Sequence, residues 1–433
     1  MVHGEHMFTF TIDQQYQTHT VARVSIEQSQ VKSLYNQALL AQKAEASTYG
    51  FPHGDTPLFY IEQNFKSHII DHLKELLFTH CVMGFLCDSI YTHKLVTVGD
   101  PILTDIMLDP AQGAHYSFIL AHAHPEREER WKRLHLRPPE RKNYKDLDKQ
   151  VESFIKEETD NVQRTNNTIS MGDWVCFDMW FINSQQQPLL TSYKDTLWVK
   201  ISDEEADLEL HTLFLGKKQG DTFHTQSSVL QNYVSNKLNM HYTFAITIKD
   251  FLPNNHFSFD FLKRHFGIKS SKEVHQKLIE VFSYRNDLSQ RRETIEATFK
   301  LLLKHYILFL PKHLVERQRQ LVLATVHVNP DYHVYKAQND FKEKIRLLAE
   351  KQLKEAIITD TIAYQENIRL LHDDIAGYLN LIKRPRTKEF VYFDIPATKA
   401  RGHEVPISEA VLKQYCLREK TLNYVIQYLT KKS

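Results

Sequence analysis

The period of the hydrophobic pattern changes at Pro253, and this change limits the fold more than any single motif does. Before it, apolar residues alternate in short runs separated by helical stretches; after it, the spacing is helical almost to the end. Such a chain is neither one sheet nor one bundle. It reads as α+β in front and all-helical behind, and its 433 residues suit several domains.

The front part divides again. Phe8, Phe10 and Ile12 alternate, as do Ala22, Val24 and Ile26, which predicts two paired strands. Val31, Leu34, Tyr35, Ala38 and Leu39 then share one helical face within residues 27–46. Two glycines and a proline between Gly50 and Gly54 end that helix. A second helix is predicted from about Leu58 to Ile90, with strands over 94–109 and 115–123. This gives a first α+β unit over residues 1–125. Residues 126–149 are rich in charge and carry Pro138-Pro139, so they read as a linker. A helix from about Tyr144 to Gln163 leads into a second α+β unit, residues 150–252. Its clearest strands are Trp174 to Phe181 and Tyr242 to Ile248, with a short helix at Leu208 to Leu215 and a turn at Gly216 to Asp221.

Residues 253–433 form the helical unit, with helices predicted over 258–266, 271–309, 312–327, 338–363, 364–381 and 406–430. Pro311, Pro330, Pro385, Pro396 and Pro406 mark their ends. The 271–309 helix is mostly polar between Tyr284 and Glu296, which predicts a projecting element with a narrow apolar stripe. Lys383-Arg384-Pro385-Arg386-Thr387-Lys388 reads as a solvated loop, since no aromatic residue interleaves with its cations. The adjoining Phe390 to Phe393 suits a core or an apolar patch equally well.

Composition excludes several classes. Hydrophobic residues are 42% and charged residues 25%, as in folded proteins, and no run approaches the roughly 20 apolar residues of a membrane span. No signal-peptide pattern opens the chain, and the four cysteines are too sparse for a disulfide scaffold or a zinc site, so a reducing cytoplasm is expected. His122 and His124 have the spacing of two ligands on one strand face, yet no third ligand stands near them in sequence; no metal is expected. No phosphate-binding glycine motif occurs, so no nucleotide or other cofactor is expected. Neither a membrane nor DNA is an expected partner. The net charge of +1 conceals a gradient: −6 over residues 1–125, −3 over 126–252 and +10 over 253–433.

Short motifs now fall into an order. Gly50-Phe51-x-x-Gly54 is followed by Pro57, Ile61 and Phe65. Ser117 to Pro125 ends the first unit on a strand and a proline. Met171-Gly172-Asp173-Trp174-Val175-Cys176-Phe177-Asp178 and the Gly216 to Asp221 turn punctuate the second. Asp260 to Gly267 and Phe309-Leu310-Pro311-Lys312-His313-Leu314-Val315 belong to the third. Together they resemble the trigger factor family, ribosome-associated chaperones that join a ribosome-binding N-domain, an FKBP-like prolyl isomerase domain and an all-helical C-domain with projecting arms. The resemblance spans nearly the whole chain.

The resemblance implies an ATP-independent chaperone that holds nascent and unfolded polypeptides at the ribosome exit, with Gly50, Phe51 and Gly54 as ribosome contacts. It also implies peptidyl-prolyl isomerase activity at Phe177, Asp178 and Tyr233, and a homodimer stays compatible with it. Two departures bear on this. Pro52 and Asp55 replace the family's loop cations, so docking is expected to be weaker or to use other contacts. Ile201 to Asp207 replaces the family's glycine-rich run with an acidic segment, a poor wall for an apolar pocket, so lost or residual catalysis is expected. An active isomerase and a binding protein for one dedicated partner are the alternatives.

Overall fold

The computed structural model describes residues 7–16, 18–122, 130–139, 146–162, 167–183, 185–189, 194–202, 204, 207–234, 242–285, 287–395, 398–400 and 403–431. His124 and most of 123–145 thus lie outside the described residues.

The first stretch runs β1 (Phe8–Gln15), β2 (His19–Ile26), α1 (Gln28–Glu45), α2 (Leu58–Leu77), a π-helical turn (Phe78–Val82), α3 (Met83–Thr92), β3 (Ile102–Asp109) and β4 (Gly113–Ala121). Its antiparallel sheet has the order β1-β2-β4-β3. Alternation explains the buried face, where Ala22, Val24 and Ile26 lie beside Tyr116, Phe118 and Leu120. Val31, Leu34 and Leu39 of α1 and Leu73, Leu76 and Leu77 of α2 belong to the same core. At the β3–β4 turn Gly113 has a φ of +99°, and a Cβ there would stand 2.6 Å from the Ile26 carbonyl oxygen. Only glycine fits that approach.

Residues 130–139 were expected to belong to a linker, yet Trp131 is fully buried. Its ring meets those of Tyr424 and Tyr428 edge-on at 6.1 and 5.1 Å, and the Leu136 amide donates to the Leu429 carbonyl at 3.3 Å. One large aromatic among charges anchors the segment.

The second stretch runs α4 (Leu147–Val162), β5 (Trp174–Ile182), β6 (Asp195–Lys200), α5 (Leu208–Phe214), β7 (Thr222–Thr225), α6 (Ser228–Tyr233) and β8 (Thr243–Leu252). The third runs α7 (Phe259–Phe266), α8 (Ser271–Phe282), a hairpin of β9 (Tyr284–Arg285) and β10 (Leu288–Ser289), α9 (Gln290–His305), α10 (Lys312–His327), α11 (Tyr332–Lys336), α12 (Phe341–Gln365), α13 (His372–Ile382), α14 (Pro385–Lys388), β11 (Lys399–Ala400), β12 (His403–Glu404), β13 (Ile407–Ser408) and α15 (Glu409–Lys431). The long helix expected over 271–309 is therefore two helices. Ser289 caps α9 by accepting from the Arg292 amide at 3.1 Å, and Asp287 adopts a φ of +63° in the turn. The polar centre of the pattern marks a hairpin, not a projecting stripe. Likewise the helix expected over 364–381 starts only at His372, after a turn in which Asn367 has a φ of +53°.

The middle sheet has the order β13-β6-β5-β8-β7 and is antiparallel throughout. Its edge strand β13 arrives from just before the last helix, pairing Ile407 with Trp198. Strand β5 is buried on both faces. Val175, Phe177, Met179 and Phe181 join one core, which is continuous with that of the first sheet. Trp174 and Cys176 join another, shared with Leu262, Leu278, Tyr378 and Leu412 of the helical part. The fold is thus mixed α and β with antiparallel sheets and a helical C-terminal part, and shared cores join its parts.

Helices α10 and α12 pack together as a helical pair, the α10–α12 arm. The outer core of this arm is small: Val322, Ile345 and Ala349 are buried, while Val328 and Val334 are 81% and 64% exposed.

Candidate functional site

A cavity of about 1380 Å³ opens where the three stretches meet. Tyr91 of α3 and Asp100 come from the first, Trp174 and Lys200 from the second, and Leu321, Leu353, Tyr392, Phe393 and Tyr415 from the helical part. Its wall mixes apolar and aromatic side chains with both signs of charge, among them Asp88, Glu355, Glu404, Lys399 and Lys413. The Phe390 to Phe393 segment divides between the two roles left open for it. Phe390 and Val391 are core, whereas Tyr392 and Phe393 reach the cavity.

The charges on this wall are tethered. Lys413 Nζ lies 3.4 Å from Asp88 Oδ1, linking α15 to α3, and Arg418 grips Asp360 in a forked pair at 2.9 and 2.7 Å. Tyr392 donates its hydroxyl proton to Glu355 Oε2 at 2.8 Å, and burial pushes the Glu355 carboxyl up to about 7. The first two residues of the basic run are tied down as well, whereas Arg386 and Lys388 are exposed, as a solvated segment would have them. Lys383 donates to the His256 carbonyl oxygen at 3.1 Å, and Arg384 pairs with buried Glu158 at 2.9 Å. Burial lowers the Lys383 ammonium to about 7.

Leu321 of this wall belongs to a set of exposed apolar groups. Leu321, Val328, Val334, Tyr335, Leu347 and Leu348 lie exposed along the arm. A second exposed set sits on the loop between α1 and α2. Gly50 and Gly54 hold φ values of +90° and +81°, and between them Phe51 is partly exposed, 6.0 Å from the Tyr60 ring. Tyr49 is fully exposed and Phe59 largely so, an aromatic tip that residue spacing alone did not single out beyond Phe51. Pro52, His53 and Asp55 give this tip no lysine or arginine.

Phe177, Asp178 and Tyr233 do not converge on one open recess. Phe177 is fully buried 5.1 Å from the Phe214 ring, and Tyr233 belongs to the same core. Asp178 leaves β5 on the opposite face, because neighbouring strand residues alternate. There it accepts from Thr196 Oγ1 at 2.7 Å and pairs with Lys194 at 2.5 Å. Tyr233 instead donates its hydroxyl proton to Asp195 Oδ2 at 3.3 Å, and its ring lies 4.8 Å from that of His80 in the π-helical turn. Burial, aided by the Asp178 charge, pushes the Asp195 carboxyl up to about 7, against hydrogen bonds from Tyr233 and Ser408 that pull it down. Burial lowers His80 to about 4.

His122 is structural, with its ring between Thr20 Oγ1 and the Val96 carbonyl oxygen at 3.1 Å. No group of three His, Cys, Asp or Glu among the described residues is placed to hold a metal ion. No described helix is long and apolar enough to cross a membrane.

No protein-family model matches the chain. A curated relative, the trigger factor of Geotalea uraniireducens (strain Rf4), is 25% identical over 186 residues, which is 40% of this chain. The match spans 42% of that relative's length. A solved structure from work on promiscuous substrate recognition in folding and assembly activities of the trigger factor chaperone shares 14% identity, over 97% of this chain and 99% of that one. Its TM-score is 0.33, too low to support a statement about the fold. By the ordered motifs and the curated match, the chain is similar to trigger factor, and divergent from it.

Two buried groups, Asp195 and His80, predict a pH signature. Folded Asp195 keeps its proton up to about 7, whereas the unfolded carboxyl releases it near 3.8. Its contribution is complete below that value and is lost as pH rises to about 7, by ~1.4 kcal/mol per pH unit. His80 runs the other way, its contribution being lost as pH falls from 6.5 to about 4. The two slopes oppose each other in the native protein. In Asp195→Asn the falling contribution of Asp195 is removed while every other group keeps its own, so urea-unfolding stability should climb with pH across that window relative to the native protein. Parallel profiles would refute the assignment.

Proposed function

We propose that this protein is an ATP-independent holding chaperone for unfolded and nascent polypeptides, working in the cytoplasm. The observation that carries the reading is the open cavity with its amphipathic wall, extended by exposed apolar residues on the α10–α12 arm. Unfolded segments expose mixed apolar and charged groups, and such a wall meets both without demanding one sequence. A few hundred Å² of apolar contact at about 25 cal/mol/Å² gives several kcal/mol gross, and association entropy removes much of it. Capture is then weak and release needs no nucleotide. The trigger factor relative supports the same reading.

In this reading residues 253–433 with the cavity are the holding part, residues 150–252 the isomerase-like part and residues 1–125 the ribosome-facing part. Ribosome contact would run through Gly50, Phe51 and Gly54, with Tyr49 and Phe59 beside them. The isomerase reading finds less support, since Phe177 is sealed in a core and Asp178 faces away from it.

Replacing Leu321, Val328 and Leu347 together by Ser should reduce suppression of aggregation of a chemically unfolded protein several-fold, with unchanged circular dichroism. Full suppression by that variant would remove the reading. For the ribosome half, co-sedimentation should fall with Phe51→Ala and depend only weakly on salt, because the tip releases few counterions. A steep salt dependence, with no effect of Phe51→Ala, would contradict it.

A further inference from the structure

The connector between α9 and α10, residues 306–311, has the form of a strand that belongs to no sheet. Tyr306 has a φ of −105° and a ψ of +119°, and Pro311 has a φ of −59° and a ψ of +132°, so both ends are extended. Leu310 precedes the proline, which disfavours the helical region there too. Burial alternates between those ends as it does along a strand. Tyr306 and Leu308 are buried, whereas Ile307 and Phe309 are 50% and 76% exposed. The inner side chains join the core that holds Val98, Leu302 and Leu314, so the connector is fixed to the first part and to the helices. Among the described residues, no hydrogen bond engages the main-chain amide or carbonyl of any residue from Ile307 to Leu310.

These features together select an occupant. Free amides and carbonyls on extended backbone are what an added strand pairs with, and Ile307 and Phe309 on one face match alternate apolar side chains beside them. Exposed edges are ordinarily blunted by lysine within the strand or by a covering element. Here the lysines stand outside it: Lys304 precedes the segment and Lys312 follows it, both exposed and in no ion pair among the described residues. Lys312 opens α10, whose first turn has no acidic residue and whose cap supplies no side-chain hydrogen bond. A cation there faces the positive end of the helix, so a carboxylate arriving from outside is stabilised by both. A second copy of the chain is a poor occupant. Lys304 and Lys312 flank Leu308 symmetrically, so antiparallel self-pairing would set lysine against lysine at each end.

The geometry points to residues 306–310 as a strand-addition site, at which an extended apolar polypeptide segment with acidic ends pairs main chain to main chain with Ile307 to Leu310. Its alternate side chains pack on Ile307 and Phe309, and its acidic ends meet Lys304 and Lys312. The inference deepens the holding reading, on which it rests for the partner being a non-native chain, by naming the class of segment captured. Main-chain pairing tolerates many sequences, and the acidic ends select among them. A connector already held extended by its core contacts loses little freedom on binding.

The test uses the full chain and a fluorescein-labelled peptide of alternating valine and threonine with two aspartates at each end, followed by fluorescence anisotropy. Two further peptides carry N-methyl groups on the valine amides or on the threonine amides, and each blocks one hydrogen-bonding edge of the strand. One of these patterns should abolish binding and the other should leave it within about twofold. Phe309→Ser should weaken binding about tenfold. Lys304→Glu combined with Lys312→Glu should turn the preference toward a peptide with lysine ends. All three side chains are exposed, so the fold is not at risk in these variants. Equal loss or equal retention with the two N-methylated peptides overturns strand pairing. Dimerisation of the native chain that Phe309→Ser abolishes also overturns it, by making a second copy the occupant. A peptide that stays free while the native chain still holds a chemically unfolded protein overturns the inference and leaves the chaperone reading standing. If neither is bound, both fall.

Discussion

Burial of β5 on both faces is the constraint from which the rest of the architecture follows. A strand with one wet face leaves its sheet free to swing as a separate unit. Here Phe177 and its alternates face the core shared with the first sheet, and Trp174 and Cys176 face the core shared with the helices. Strand β13 adds a covalent reason, since the chain leading into the last helix completes the edge of this sheet. Solvating either face would expose a continuous apolar surface, which is strongly unfavourable. The parts are therefore clamped, and the open space of the molecule is the gap left between clamped bodies.

That arrangement bears on the candidate site. Where α3, the middle sheet and the arm meet they fail to fill about 1380 Å³, and paired charges such as Lys413 with Asp88 hold the walls in place. The hollow exists because elements anchored elsewhere cannot collapse into it.

Much of the local structure was legible in the residues. The pairing of β1 with β2, the faces of α1 and α2, the Gly216 to Asp221 turn and the span of α10 follow from periodicity and punctuation. The hairpin inside 271–309 was not, since Ser283 and Ser289 read as surface positions of a helix until a cap and a left-handed Asp287 are seen. Trp131 was hidden by its charged neighbours, and β13 by its two-residue length. The cavity was least legible of all. Its wall draws residues from Met83 to Arg418, and no local pattern reports that they share a space. The loop glycines were visible at once, because two positive-φ positions require them.

If this hollow is the holding site, unfolded chains enter it and do not merely adhere to any exposed apolar spot. Photocrosslinking addresses that most directly, with a benzoylphenylalanine placed at Leu321 on the cavity wall and, separately, at Lys272 on the exposed start of α8. An unfolded probe should crosslink from position 321 and leave position 272 unlabelled. Equal labelling from the two positions, or labelling from 272 alone, would contradict it.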